Sequence, residues 1–272
     1  MLDSLLNMFS YHFMQRAFIV GVLVALCAAL LGVSLVLKRY SMIGDGLSHV
    51  GFGSLAVATA MGMSPMAVTI PVTVIAAFLL LRLSSRGKLK GDAAIAMIST
   101  GSLAVGVIVL SLSTGMTSDV NNYLFGSVLA MSAADVKLSI VLASLVLTLF
   151  LVFYRPIFAV TFDETFARAT GSHADRCNML LALLTAVTIV LGMRVMGAML
   201  ISSLIIFPAL TAMRVCKSFR SVTICAAIVS VACFFIGLCM SYLLSTPAGA
   251  SVVIVNILAF CIFTLIGKLT RG

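Results

Sequence analysis

The chain has 272 residues, 62% hydrophobic and only 9% charged, with a mean hydropathy of +1.25. A water-soluble domain is nearer half apolar and a quarter charged, so a soluble globule, a disordered chain and a collagen-like repeat are excluded. Long unbroken apolar runs also exclude an outer-membrane barrel, whose short strands alternate apolar and polar residues. The composition predicts an all-α polytopic membrane protein. At ~20 apolar residues per span, the length accommodates eight or nine transmembrane helices, short loops and one membrane-spanning domain over 1–272.

Residues 1–16 carry Asp3, His12 and Arg16 and lack both an early basic region and a small-residue cleavage site, so they do not read as a cleavable signal peptide. Leu5, Leu6, Phe9 and Phe13 suit one face of a short interfacial helix. Apolar runs then predict spans over 17–37, 41–61, 66–81, 93–112, 136–154, 177–193, 197–213, 222–244 and 252–267. Tyr123–Met131 is too short to cross, and Pro156 is expected to break the helix before a charged, amphipathic stretch over 157–176. Nine crossings put the N-terminus outside and the C-terminus in the cytoplasm, and dropping one weak span gives eight.

The net charge of +9 fits this topology rather than a nucleic-acid partner. Lys38, Arg39, Arg82, Arg86, Lys88, Lys90, Arg155, Arg168, Arg176, Arg214, Lys217, Arg220, Lys268 and Arg271 fall in or beside alternate loops, and only Arg16, Lys137 and Arg194 lie on the other side. Fourteen against three is a strong positive-inside bias. No aromatic-interleaved basic stretch of the kind that binds single strands is present. The seven cysteines are odd in number, form no C-x-x-C and sit mostly in apolar runs, so they read as small buried hydrophobes.

Ionisable groups inside spans are costly and default to functional hypotheses. Apart from Arg194, which can snorkel at an outer edge, the pair Asp45 and His49 in Gly44-Asp45-Gly46-Leu47-Ser48-His49 stands out. Four residues apart, they share one helix face. At ~1.5 Å per residue from Arg39 they stand ~9 Å and ~15 Å up the helix, which puts His49 near mid-membrane. A carboxylate and an imidazole one turn apart suit Zn²⁺, Mn²⁺ or Fe²⁺. The same pair equally suits a hydrogen-bonded clasp between two helices, and both readings stay open on the residues alone. As ligands, the two would need further donors from other residues, water or a second subunit.

Met193-x-x-Met196-x-x-Met199 and Met61-x-Met63-x-x-Met66 offer a rival thioether reading for Cu(I), against which stands methionine's common use as core filler. His12 and His173 flank the spans and read as solvated. The chain has no G-x-x-x-x-G-K-[ST] phosphate loop, so any ATP would be bound by another chain. It also lacks H-E-x-x-H and G-x-S-x-G, which weakens any enzyme reading.

A short cytoplasmic helix is expected over 162–171. Asp163 and Glu164 load its N-terminal turn, and Gly171 ends it. Phe162, Phe166 and Ala169 give it an apolar face that suits either a partner's groove or the membrane surface.

Several segments together resemble the membrane permeases of zinc/manganese/iron-type ABC importers. They are Gly44–His49, Tyr123-Leu124-Phe125-Gly126, Phe162-Asp163 with Ala167, Ala169 and Gly171, Gly197-Ala198-Met199-Leu200-Ile201, Leu204-Ile205-Ile206-Phe207-Pro208-Ala209 and Ser245-Thr246-Pro247-Ala248-Gly249. In this order and spacing they run over nearly the whole chain. The resemblance implies a multi-pass protein of the cell membrane that works as a homodimer with two ATP-binding subunits and an extracytoplasmic metal-binding protein. It further implies Asp45 and His49 as ligands on the translocation path, Phe162–Gly171 as the helix coupled to the ATPase, transported Zn²⁺ or Mn²⁺, and no cofactor in this chain. Manganese-type members often carry a proline shortly after the histidine, where this chain reads Val50-Gly51-Phe52-Gly53. The opening Tyr11-His12-Phe13-Met14-Gln15-Arg16-Ala17-Phe18 is similar to zinc-type permeases, so zinc is the first expectation and manganese the second. The competing class is a self-contained, proton-coupled secondary transporter or channel, with Asp45 and His49 as a proton relay and transport by this chain alone.

Overall fold

Eleven helices follow one another along residues 10–86, 91–114, 124–126, 133–198 and 200–269, which a computed structural model describes. No strand occurs among these described residues. The helices are α1 (His12–Leu37), α2 (Ser41–Ala60), α3 (Pro65–Arg86), α4 (Gly91–Thr114), α5 (Ala133–Val152), α6 (Tyr154–Phe162), α7 (Glu164–Ala169), α8 (Ala174–Met196), α9 (Ile201–Val215), α10 (Phe219–Leu244) and α11 (Ala248–Leu269). Residues 1–9 and Met199, like most of the stretch 123–131, lie outside the described residues.

Seven helices are long and apolar enough to cross a membrane: α1, α3, α4, α5, α8, α10 and α11. The remaining two of the nine expected crossings are α2 and α9. Helix α2 has the length, at 20 residues, but glycines, serines, Asp45 and His49 dilute its apolar character. Helix α9 has 15 residues, which at ~1.5 Å each reach only ~22 Å.

Helices α1 and α8 form the interior, with 67% and 72% of their apolar stretches buried, against 22% for α4 and 28% for α3, α5 and α11. These outer helices turn Ile75, Ile108, Leu145, Leu151, Ile262 and Leu265 outward, the arrangement that lipid rather than water favours. Helix α2 lies against α3 and α4 on one side and α8 and α9 on another. Small residues allow these close approaches. A Cβ on Gly53 would stand 2.6 Å from the Ser102 carbonyl oxygen of α4, and one on Gly32 of α1 would stand 2.0 Å from the Ile205 carbonyl oxygen of α9.

The break expected at Pro156 falls at Phe153, and Pro156 sits in the first turn of α6, where its missing N–H is tolerated. The single helix expected over 162–171 is divided. Phe162 closes α6, Asp163 is extended (φ −146°, ψ 99°), and α7 begins at Glu164. The division has a local cause, because the Asp163 carboxylate accepts the Phe166 N–H at 2.9 Å and so caps a new helix. The other end matches expectation. Gly171 takes φ +84°, its N–H reaches the Arg168 carbonyl at 3.1 Å, and the Ser172 N–H reaches that of Ala167 at 2.9 Å, a Schellman closure.

Candidate functional site

Asp45 and His49 lie on one face of α2, as their spacing predicts, with His49 Nε2 3.7 Å from Asp45 Oδ2. That separation is too long for a hydrogen bond, so the two residues do not clasp each other. Two donors on one divalent ion with bonds of ~2.1 Å stand ~3.0–3.4 Å apart, and a few tenths of an ångström of side-chain movement would bring the pair there. The contact that does tie helices together was not foreseen from sequence: Ser202 Oγ of α9 donates to Asp45 Oδ1 at 3.2 Å. Ser48 turns inward and donates to the Asp45 carbonyl at 2.7 Å, which leaves the carboxylate for other partners.

Burial divides the roles within the pair. The Asp45 side chain is 39% exposed, whereas His49 is buried and its Nδ1 has no hydrogen-bond partner. A buried polar atom without a partner is costly, and a nitrogen lone pair is what a metal would take up. Glycines set the closeness of the walls: Gly44 faces Ile205 of α9, and Gly46 faces Ile95 of α4 and Leu80 of α3. Among the described residues, no group of three or more His, Cys, Asp or Glu could hold a metal. A metal held by Asp45 and His49 would therefore need further donors.

Among the described residues the thioether alternative is not assembled, and Met199 lies outside them. Met193 and Met196 are buried in different apolar clusters, Met66 is buried in the core, and Met61 and Met63 stand exposed in the α2–α3 turn. All seven cysteines are free thiols, and His12 and His173 are exposed. Arg194 does not snorkel: its Nη2 pairs with Asp135 Oδ2 of α5 at 2.9 Å, with both side chains mostly shielded. Beside it Gly126 and Gly197, at φ +81° and +89°, pack backbone to backbone.

At the opposite end, Phe162 and Phe166 are 60% and 65% exposed, and Asp163, Ala169 and Gly171 are exposed too. Ala167 points inward against Val160, Ala174 and Cys177. Glu164 is the anchor of α7. Its Oε2 accepts from Lys38 Nζ at 3.2 Å and from Asn178 Nδ2 at 3.1 Å, while Oε1 accepts from Arg168 Nη2 at 2.8 Å. Lys38 Nζ also donates to Asn178 Oδ1, and Arg168 Nη2 reaches Asp175 at 2.7 Å. Burial pushes the Glu164 carboxyl up, but hydrogen bonds from Arg168, Asn178 and Lys38, with the Lys38 charge, outweigh it and hold it down at about 2. Burial lowers the Lys38 ammonium, and Glu164 offsets only part of that effect.

The comparisons with known proteins agree with this architecture. The chain matches the ABC 3 transport family over residues 10–267. A probable metal transport system membrane protein of Thermotoga maritima is 34% identical over 254 residues, 93% of this chain and 90% of its own length. The manganese import system permease protein ScaB of Streptococcus gordonii is 27% identical over 261 residues, 96% and 94% of the two chains. Among solved structures, PsaBC from Streptococcus pneumoniae in complex with Fab superposes with a TM-score of 0.87 at 26% identity, covering 96% of this chain and 94% of that one. A bundle of apolar helices with no nucleotide-binding loop, matched from end to end by these permeases, belongs to the ABC 3 transport family as a multi-pass transport subunit, and ATP hydrolysis in these importers resides in a separate subunit.

Proposed function

We propose that this chain is the permease of an ATP-driven importer of a divalent transition metal, zinc first and manganese second, working as a homodimer. Two ATP-binding subunits dock on the face bearing α7, and an extracytoplasmic metal-binding protein delivers the ion. The observation that carries the reading is the pair on α2: a half-exposed carboxylate one turn from a buried imidazole whose Nδ1 is unpartnered. Asp45 supplies charge that offsets the cost of a cation in a low-dielectric setting, and His49 supplies a neutral nitrogen donor. The donor pair suits both metals. The residues after His49 favour zinc, and the likeness to a manganese permease keeps manganese as the second substrate.

In this reading α2 and α9 also cross, which makes nine spans. The polar groups of α2 are tolerated because protein packs around them, and the shortness of α9 because the turn before it is sheltered, with Ala198 and Ile201 fully buried. The basic helix ends and α7 then face the cytoplasm.

The test is uptake of radiolabelled zinc and manganese by cells holding matched amounts of wild type, Asp45→Asn and His49→Gln. Both variants keep the side-chain shape and should insert and assemble, yet lose most uptake of the transported metal. Near wild-type uptake of both metals by both variants would remove the ligand role.

A further inference from the structure

We propose that Lys38, Glu164 and Asn178 form a latch that passes the movement of α7 to the metal-holding helix α2. The proposal rests on the function proposed above, in which α7 meets the ATPase and α2 holds the ion.

The three side chains come from three elements. Lys38 caps the C-terminus of α1, Glu164 is the first residue of α7, and Asn178 lies in the second turn of α8. Each bonds to both others: Lys38 to Glu164 at 3.2 Å, Asn178 to Glu164 at 3.1 Å, and Lys38 to Asn178. The Lys38 side chain is only 6% exposed. Leu35, Tyr40, Ile43, Leu81 and Leu181 line the small cavity around it, so its ammonium has little water to fall back on. Glu164 cannot move without taking Lys38 along or leaving a buried charge unpaired.

Lys38 is also placed to move α2. Only residues 38–40 separate α1 from α2, and Arg39 stands there at φ +59°. A non-glycine residue in that region is strained and persists only where its surroundings hold it. Around it the Arg39 N–H bonds the Val36 carbonyl at 3.1 Å and the Tyr40 N–H bonds that of Leu35 at 2.8 Å, and Asp45 follows in the second turn of α2. A shift of α7 therefore reaches the strained turn through one buried ammonium, and the ligand helix starts directly after it. On the other side of Glu164, Arg168 and Asp175 tie the outer face of α7 to the start of α8 through exposed contacts, which water can replace.

The experiment uses the complete importer, permease with its ATPase subunits and binding protein, in proteoliposomes. Metal imported and ATP hydrolysed are measured in the same vesicles for wild type, Lys38→Met, Glu164→Gln, the double variant and Asn178→Ala. A latch predicts that assembled variants still hydrolyse ATP while metal moved per ATP falls at least about fivefold, the low end of coupling between linked sites. The double variant should be no worse than the worse single one, because both break the same link. An unchanged ratio of metal to ATP in assembled Lys38→Met or Asn178→Ala would overturn the latch. So would failure of all the variants to assemble, which would assign the cluster to folding. Wild type that imports no metal on ATP would instead overturn the underlying function.

Discussion

Ser202 holds Asp45. The hydroxyl of Ser202, in the first turn of α9, donates to the carboxylate across 3.2 Å and is the hydrogen bond that fixes Asp45 to a neighbouring helix. The other carboxylate oxygen faces His49 at 3.7 Å, so Ser202 sets the direction in which Asp45 faces its proposed fellow ligand.

Ser202→Ala removes this donor and leaves both proposed ligands in place. The carboxylate is 39% exposed, so water can replace the lost bond. The expected cost is that of an ordinary net hydrogen bond, about 0.7–1.4 kcal/mol, because water can take the place of the hydroxyl, or a rise of roughly three- to tenfold in half-saturating metal concentration. Maximal uptake and the amount of assembled complex should hold. Concentration-dependent metal uptake is the measurement, and an unchanged half-saturation would separate Ser202 from the ion.

Phe166 is 65% exposed on α7, and its neighbour Ala167 is 1% exposed. Phe166→Asp puts a charge on a surface that meets water before assembly, so membrane expression should be normal while co-purification of the ATPase subunit falls sharply. Ala167→Asp buries an unpaired carboxylate against Val160 and Cys177 and should instead lower the amount of folded protein. Undiminished co-purification with Phe166→Asp would place the ATPase elsewhere.

These residues also mark how far the amino-acid sequence was legible. The i,i+4 spacing of Asp45 and His49 was enough to put them on one face, and Gly171 was enough to end α7, because both depend on neighbours along one helix. The break at Asp163 was readable in principle, since an aspartate before Glu164 is a helix-capping signal; the apolar spacing of Phe162 and Phe166 masked it. Ser202 meets Asp45 across 157 positions and Glu164 meets Lys38 across 126, and no periodicity carries such pairings. Arg39 in a left-handed turn is equally silent, because a glycine would have signalled it and an arginine does not.

Glu164 makes a prediction about acid. Its carboxyl is held at about 2, below the 4.5 of an ordinary glutamate, so its contribution to stability is fully present above 4.5 and is lost as pH falls toward 2. Glu164→Gln should therefore melt at a lower temperature than wild type at pH 6, and the gap should narrow as pH drops from about 4.5 toward 3. Thermal unfolding of the purified permease in detergent at several pH values reads this directly. A gap independent of pH would show that the charge on Glu164 does not stabilise the fold.

The crossing of α2 can be tested from its two ends. Lys38 and Arg39 precede α2, and the exposed Met63 follows it in the turn before α3, so the two ends lie on opposite membrane faces only if α2 spans. Seven helices pass on length and apolar character alone, and α2 is not among them. With seven native thiols, Cys261 among them exposed, the experiment needs a cysteine-free background. In it, Met63→Cys should react with a membrane-impermeant maleimide added to intact cells. Arg39→Cys, exposed between α1 and α2, should react only after the membrane is opened. Labelling of both positions from the same side would leave no crossing between them and remove α2 from the bilayer. Labelling of Arg39→Cys from outside, with Met63→Cys reacting only after the membrane is opened, would invert the whole permease and turn α7 away from the compartment that holds ATP.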